Sequence, residues 1–178
     1  MKYCHKKVEG ERYAFAQGEG LNVSFKDLSQ VCKNISGKTV EEALHFLERV
    51  MRGLQPVRYF SHNKKLGHRK ELGGKKGRYP IKAARVAYKI LQNALANANY
   101  LRFSNPIIHH ICANKGEIYP RLRSKGRAGR SDYETANLQI VLRDSGVKEE
   151  NKTNLSEQKT EQKTEAEQKT EQKTEARI

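Results

Sequence analysis

The chain has 178 residues, with 35 Lys plus Arg against 20 Asp plus Glu and a net charge of +15. Residues 1–146 carry 28 basic and 12 acidic side chains and 59 of the 64 apolar residues, whereas residues 147–178 carry 7 basic and 8 acidic ones. A body able to build one core is therefore expected over 1–146, followed by a tail that is not; such an excess of like charge on a compact body points to a polyanionic partner, nucleic acid first.

Other classes drop out on simple grounds. No run approaches the roughly 20 apolar residues of a spanning helix, so membrane insertion is not expected. The stretch Met1–Lys7 is basic but has no apolar run behind it, which reads as an intracellular address rather than a secretory signal. Cys4, Cys32 and Cys112 are odd in number and widely spaced, without a Cys-x-x-Cys pair. Neither a disulfide framework nor a zinc knuckle fits them, and small buried apolar groups do.

In chain order, residues 11–16 read as a strand that could join a sheet formed later in the sequence. A short helix follows, with Ser24 as its cap, Asp27 in the first turn, Leu28, Val31, Cys32 and Ile35 on one face, and Gly37 as its stop. A second helix is stronger: Thr39 and Glu42 have capping-box spacing, and Val40, Ala43, Leu44, Leu47, Val50, Met51 and Leu54 recur at three and four before and just after Gly53. A third begins at Pro80 and carries Ala84, Ala87, Tyr88, Leu91, Ala94, Leu95, Ala98 and Leu101 on its inner face. So many alanines allow another element to approach closely.

Beyond residue 105 the period changes. Ile107–Ala113 is short and β-branched, and Ala136, Leu138, Ile140 and Leu142 alternate with Asn137, Gln139 and Val141, which predicts two antiparallel strands. The connection from Asn114 to Thr135 is too long for an ordinary hairpin loop, so the strands are expected to extend into an arm. At about 3.3 Å per residue its tip would stand more than roughly 30 Å from the sheet. In the tail, Glu157–Ala166 recurs as Glu167–Ala176, a repeat with no apolar face and with like charges at helical i,i+4 spacing. Disorder is its expected state, and a dispensable solvated extension the simplest role.

Two regions concentrate the positive charge. From 58 to 89 there are eleven basic residues, Arg58, Lys64, Lys65, Arg69, Lys70, Lys75, Lys76, Arg78, Lys82, Arg85 and Lys89, against Glu71 alone. Tyr59, Phe60, His62, His68 and Tyr79 are interleaved with them, and aromatics among cations suit stacking on unpaired bases. Glycines 67, 73, 74 and 77 are expected to keep the stretch irregular and to let backbone N–H groups approach phosphates. The second region carries Lys115, Arg121, Arg123, Lys125, Arg127 and Arg130 against Glu117 on the predicted arm. So charged an arm is expected to lie embedded in a polyanion.

Catalytic signals are weak by comparison. Glu41, His45 and Glu48 share a helix face at metal-site spacing, but Glu48 also precedes Arg52 by four, and a salt-bridged surface is the favoured reading. His110 and Cys112 would share a strand face without a third ligand nearby. No nucleophile elbow, phosphate loop or His-Glu-x-x-His occurs, so no catalytic residue, metal or cofactor is assigned and no enzyme is expected.

In this order the elements resemble the universal large-subunit ribosomal protein twenty-two family, seventeen in the older eukaryotic numbering, over residues 11–144. The resemblance rests on Gly37–Leu44, on Gln55–Asn63 with Gly67–Lys70, on Gly77–Ala84, on Leu91–Ala98 and on Arg123–Ala128. The basic insertion at 55–79 matches the archaeal and eukaryotic form, since the bacterial form lacks it. One departure stands out: the family commonly reads Pro-Arg-Ala-x-Gly-Arg-Ala where this chain has Leu122-Arg-Ser-Lys-Gly-Arg-Ala128, with its proline at Pro120.

The resemblance implies an α+β fold, three helices on a three-stranded antiparallel sheet with a long β-hairpin at about 107–142. It implies a cytoplasmic structural constituent of the large ribosomal subunit, bound to rRNA and to neighbouring ribosomal proteins and not homo-oligomeric. RNA contacts are expected from Arg58, Lys64, Lys65, His68, Arg69, Lys70, Lys75, Lys76, Arg78, Lys82, Arg85, Lys115, Arg121, Arg123, Lys125, Arg127 and Arg130. Arg121, Arg123, Ser124, Lys125, Gly126 and Arg127 would line the nascent-peptide exit tunnel and meet the nascent polypeptide. The competing reading is a free-standing RNA-binding regulatory protein.

Overall fold

The computed structural model describes residues 11–123, 126 and 129–145. Its main sheet has three antiparallel strands: β1 (Tyr13–Leu21), β5 (Pro106–Tyr119) and β6 (Tyr133–Asp144), in the order β1-β6-β5. The edge strand expected at 11–16 thus exists and is longer, pairing Ala14 with Leu142, Ala16 with Ile140 and Gly18 with Leu138. Three helices complete the body: α1 (Phe25–Ile35), α2 (Val40–Met51) and α3 (Ile81–Tyr100). Helices α1 and α3 lie on the sheet, and α2 packs against α3.

Local chemistry explains the helix ends. The Ser24 hydroxyl accepts from the Asp27 N–H at the start of α1, and Thr39 accepts from the Glu42 N–H at the start of α2. Pro80 stands one place earlier than expected, as the cap of α3 rather than its first residue, and its carbonyl accepts from the Ala84 N–H. The corner between α1 and α2 is tied to the sheet, because Gly37 N–H donates to the Ile108 carbonyl and Ile108 N–H to the Lys38 carbonyl, both at 3.0 Å.

The core joins Leu28, Val31, Cys32 and Ile35 of α1 to Val40, Ala43, Leu47 and Val50 of α2 and to the alanine face of α3 with Leu91. Ile108, Ala136, Leu138, Ile140 and Leu142 supply the sheet side. Three expectations need correction. Phe46, outside the α2 stripe as read, is buried beneath the Lys38 ammonium, 4.9 Å from its ring centroid. Leu54 is exposed, since the chain turns at Gly53 once the helix has ended, and Leu101 is exposed as the last cap of α3. Gln139 and Val141, on the opposite face of β6 from the helices, are as buried as Leu138 and Ile140.

The basic insertion is not irregular. It folds into a second small sheet, β2 (Val57–Arg58), β3 (His68–Arg69) and β4 (Lys75–Arg78), ordered β2-β4-β3, with a 3₁₀ turn at Lys70–Leu72. Val57, Tyr59 and Leu66 are buried in the common core and fasten it there. Gly77 lets the strands close: a Cβ there would lie 2.5 Å from Leu72 Cδ1 and 2.8 Å from the Val57 carbonyl oxygen. Composition showed the glycines but not this packing.

Candidate nucleic-acid interface

The insertion hangs from α1 by polar side chains that the apolar stripe did not reveal. Gln30 is fully buried, and its Oε1 accepts from the N–H groups of Phe60 (2.9 Å) and Ser61 (3.3 Å). Its Nε2 donates to the Ser61 hydroxyl at 2.8 Å. One turn on, Asn34 Nδ2 donates to the Arg58 carbonyl at 2.8 Å. At the other end of the helix the Tyr59 hydroxyl donates to Asp27 at 2.7 Å. Burial, and after it this bond, pushes the Tyr59 phenol well above its ordinary range. Residues 58–61 are therefore fixed in the backbone before any ligand arrives, and the only hint of this in the sequence was a run of polar residues on the outer face of α1.

Around that frame the expected cations take different positions. Lys64 and Lys65 are exposed in the turn between β2 and β3, and Lys65 adopts a left-handed φ of 58°. His68, Lys70, Lys75 and Arg78 are exposed, while Lys76 is half-buried and its carbonyl accepts from Tyr59 N–H. Arg69 is half-buried, bonded to the Gly77 carbonyl at 3.2 Å and lying 5.3 Å over the Tyr79 ring centroid. Lys82 and Arg85 are exposed on the first turns of α3, with Lys82 Nζ 3.1 Å from Asn22 Oδ1.

The aromatics expected to stack on bases divide as well. Tyr59 is buried and committed to Asp27, so it offers no face to a ligand. Tyr79 is half-buried, with Arg69 over its ring. Phe60 is 47% exposed, and the Arg58 guanidinium sits 4.5 Å from its ring centroid.

The arm is the second surface. Pairing of β5 with β6 runs without a helix's length of loop to Tyr119 and Tyr133, whose rings lie 6.0 Å apart, and a further bridge joins Leu122 to Arg130. The ladder closes with Arg123 N–H on the Gly129 carbonyl at 2.9 Å. A bulge between Lys115 and Ile118 marks where the arm leaves the body. Gly116 is required there, since a Cβ would lie 2.5 Å from Thr135 Oγ1 and 3.2 Å from Thr135 backbone. Thr135 and Ala136 are the last buried residues of β6 toward the tip, and the part of the ribbon beyond them spans about 30 Å.

From Lys115 to Arg123 every residue except Gly116 is exposed. Lys115 pairs with Glu134 at 2.8 Å, Arg130 with Asp132 at 2.9 Å, and Arg121 Nε reaches the Ser131 carbonyl at 3.4 Å. Two of these, Lys115 to Glu134 and Arg121 to Ser131, join the two sides of the ribbon. Arg123 and Gly126 are exposed near the tip. Ser124, Lys125 and Arg127 lie outside the described residues, as do Cys4 and the tail over 147–178 with its repeat.

On the helix face of Glu41, His45 and Glu48, Glu48 accepts from the Tyr88 hydroxyl of α3 at 3.0 Å. Among the described residues no group of three or more His, Cys, Asp or Glu could hold a metal. Cys112 Sγ sits 3.7 Å from Gln139 Oε1 on the sheet, and Cys32 is buried in the core, where desolvation pushes its thiol far up.

The model of the family described as ribosomal protein L22p/L17e matches residues 16–143, which span both basic surfaces and nearly all of the main sheet. The chain belongs to this family. It is 43% identical to large ribosomal subunit protein uL22 of Methanocaldococcus jannaschii over 76% of this chain and 90% of that one. It is 40% identical to the protein of that name from Methanosphaera stadtmanae, over 79% and 94% respectively. The one from Picrophilus torridus is 36% identical over 82% of this chain and 99% of its own. These relatives are archaeal, in keeping with the insertion at 55–79, and membership makes the chain a structural ribosomal protein and not an enzyme.

Proposed function

We propose that this protein is a cytoplasmic constituent of the large ribosomal subunit, that it binds large-subunit rRNA through the insertion and the arm, and that the arm tip lines the nascent-peptide exit tunnel. Its relatives carry the name of large-subunit proteins, which supports the first part. The observation that supports the rest is the arm: a two-stranded ribbon, exposed from Lys115 to Arg123 and basic toward its tip, extends beyond the core. An isolated ribbon of this kind is marginal in water, and a surrounding polyanion would both hold it straight and neutralise it.

On this reading residues 1–146 form the rRNA-binding unit, and residues 147–178 are a tail not needed for incorporation. Neighbouring ribosomal proteins cover part of the body, and the nascent chain passes the tip as a transient partner. No helix among the described residues is long and apolar enough to cross a membrane. A photo-crosslinker at Ser124 tests the placement. It should capture rRNA and, in translating ribosomes, nascent peptide; capture of solvent-side proteins alone would remove the tunnel from the proposal. Failure of the protein to co-migrate with large subunits on a sucrose gradient would favour a free-standing RNA-binding regulator instead.

A further inference from the structure

We infer that Phe60, backed by Arg58 and clamped from beneath by Gln30, is a stacking site for one unpaired nucleobase. The inference rests on the rRNA-binding reading and assigns part of that binding to one side chain. Of the phenylalanine and tyrosine rings in the basic insertion Phe60 is the exposed one, at 47%, while Tyr59 beside it is buried and Tyr79 half-buried; the smaller rings of His62 and His68 are exposed as well. Exposure of a phenylalanine is unfavourable unless something covers it, and its surroundings select what does. The Arg58 guanidinium lies 4.5 Å from the ring centroid, and Lys64 and Lys65 are exposed a few residues on. An apolar protein surface gains nothing from these cations, whereas a nucleotide offers a π-face for the ring and phosphates for the charges.

The site is also pre-ordered. Gln30 Oε1 accepts from Phe60 N–H, Asn34 holds the Arg58 carbonyl, and Phe25 meets His62 edge-on at 6.4 Å between centroids, so the chain on both sides of the ring is fixed. With the backbone beneath the ring already fixed, a base that settles on it costs little chain ordering. A paired base inside a duplex keeps its faces on its neighbours, so the site discriminates in favour of single-stranded or bulged nucleotides. Stacking depends on the π-face rather than on edge hydrogen bonds, so it accepts any of the four bases.

The sequence contains no tryptophan, which makes Phe60→Trp the sole indole of the chain and a direct reporter. The full-length Phe60→Trp protein would be titrated with a single-stranded oligoadenylate and with a fully paired RNA duplex of the same length. The single strand should quench the indole emission strongly and the duplex weakly. Phe60→Ala and Phe60→Leu should both lose roughly 10-fold in affinity for the single strand and none for the duplex, because leucine keeps the apolar area but not the π-face. Binding of the single strand without quenching, or full affinity in Phe60→Leu, would overturn the site while leaving RNA binding intact. Absence of binding to either RNA would overturn the rRNA reading and the site with it.

Discussion

Gln30 shows how much a single buried amide can decide. It accepts two backbone N–H groups from the insertion and donates to Ser61, so its removal leaves the Phe60 and Ser61 N–H groups without their protein acceptor. Gln30→Ala should cost about 2 kcal/mol in urea denaturation, with faster amide exchange confined to residues 58–61; a loss below ~0.5 kcal/mol would mean that solvent replaces the amide. Tyr59 and Cys32 add a pH dependence of defined sign. Their folded values are raised above 10.0 and 9.0, so each loses its proton at lower pH in the unfolded chain than in the folded one. The stability they add is complete below those values and falls as the pH rises through them. Thermal unfolding should therefore move to lower temperature above pH 9, and in Tyr59→Phe the decline above pH 10 should be shallower. Parallel curves for the two proteins would show that the phenol is not held by burial and Asp27.

At the scale of the element, the hairpin has two halves with different work. The inner half, Ile108 to Ala113 against Leu138 to Leu142, belongs to the core, and the outer half carries the exposed cations Lys115, Arg121, Arg123 and Arg130. The bulge at Gly116 divides them. Replacing Arg123, Lys125 and Arg127 together by Ala should therefore leave folding stability within about 0.5 kcal/mol of the parent. The same triple change should weaken binding to an rRNA fragment and reduce the slope of log K against log salt by roughly 3, one unit for each lost phosphate contact. An unchanged slope would mean that these cations do not meet the RNA backbone. Helix α1 has a comparable division, with Leu28, Val31 and Ile35 facing the sheet and Gln30 and Asn34 turned to the insertion.

For the whole molecule the governing quantity is charge. Of the sixteen net positive charges on residues 1–146, ten lie from Arg58 to Lys89 and five from Lys115 to Arg130. Full-length protein should thus bind rRNA fragments with an affinity that falls by roughly 10³ to 10⁵ between 50 and 200 mM salt, as six to ten phosphate contacts require. Filter binding across that range measures it. A nearly flat response would show that contacts other than phosphate pairs dominate and would weaken the proposal as a whole.

The sequence alone determined the helices, the Ser24 and Thr39 caps and the antiparallel pair, because these follow from short-range periodicity and from side chains that bond backbone a few residues away. It also determined the sign and position of the charge, and the family, because the motifs in order are specific. Only the tertiary structure decided that the glycine-rich insertion is a sheet rather than a loop, since its strands are two to four residues long and draw their stability from Val57, Tyr59 and Leu66 in a distant core. Likewise only packing revealed that Tyr59 is buried while Phe60 is exposed, that Glu48 turns to Tyr88, and that Gln30 fastens the basic surface. Those outcomes depend on partners 30 or more residues away, from Gln30 to Phe60 and from Glu48 to Tyr88, and no local pattern in the chain encodes such distances.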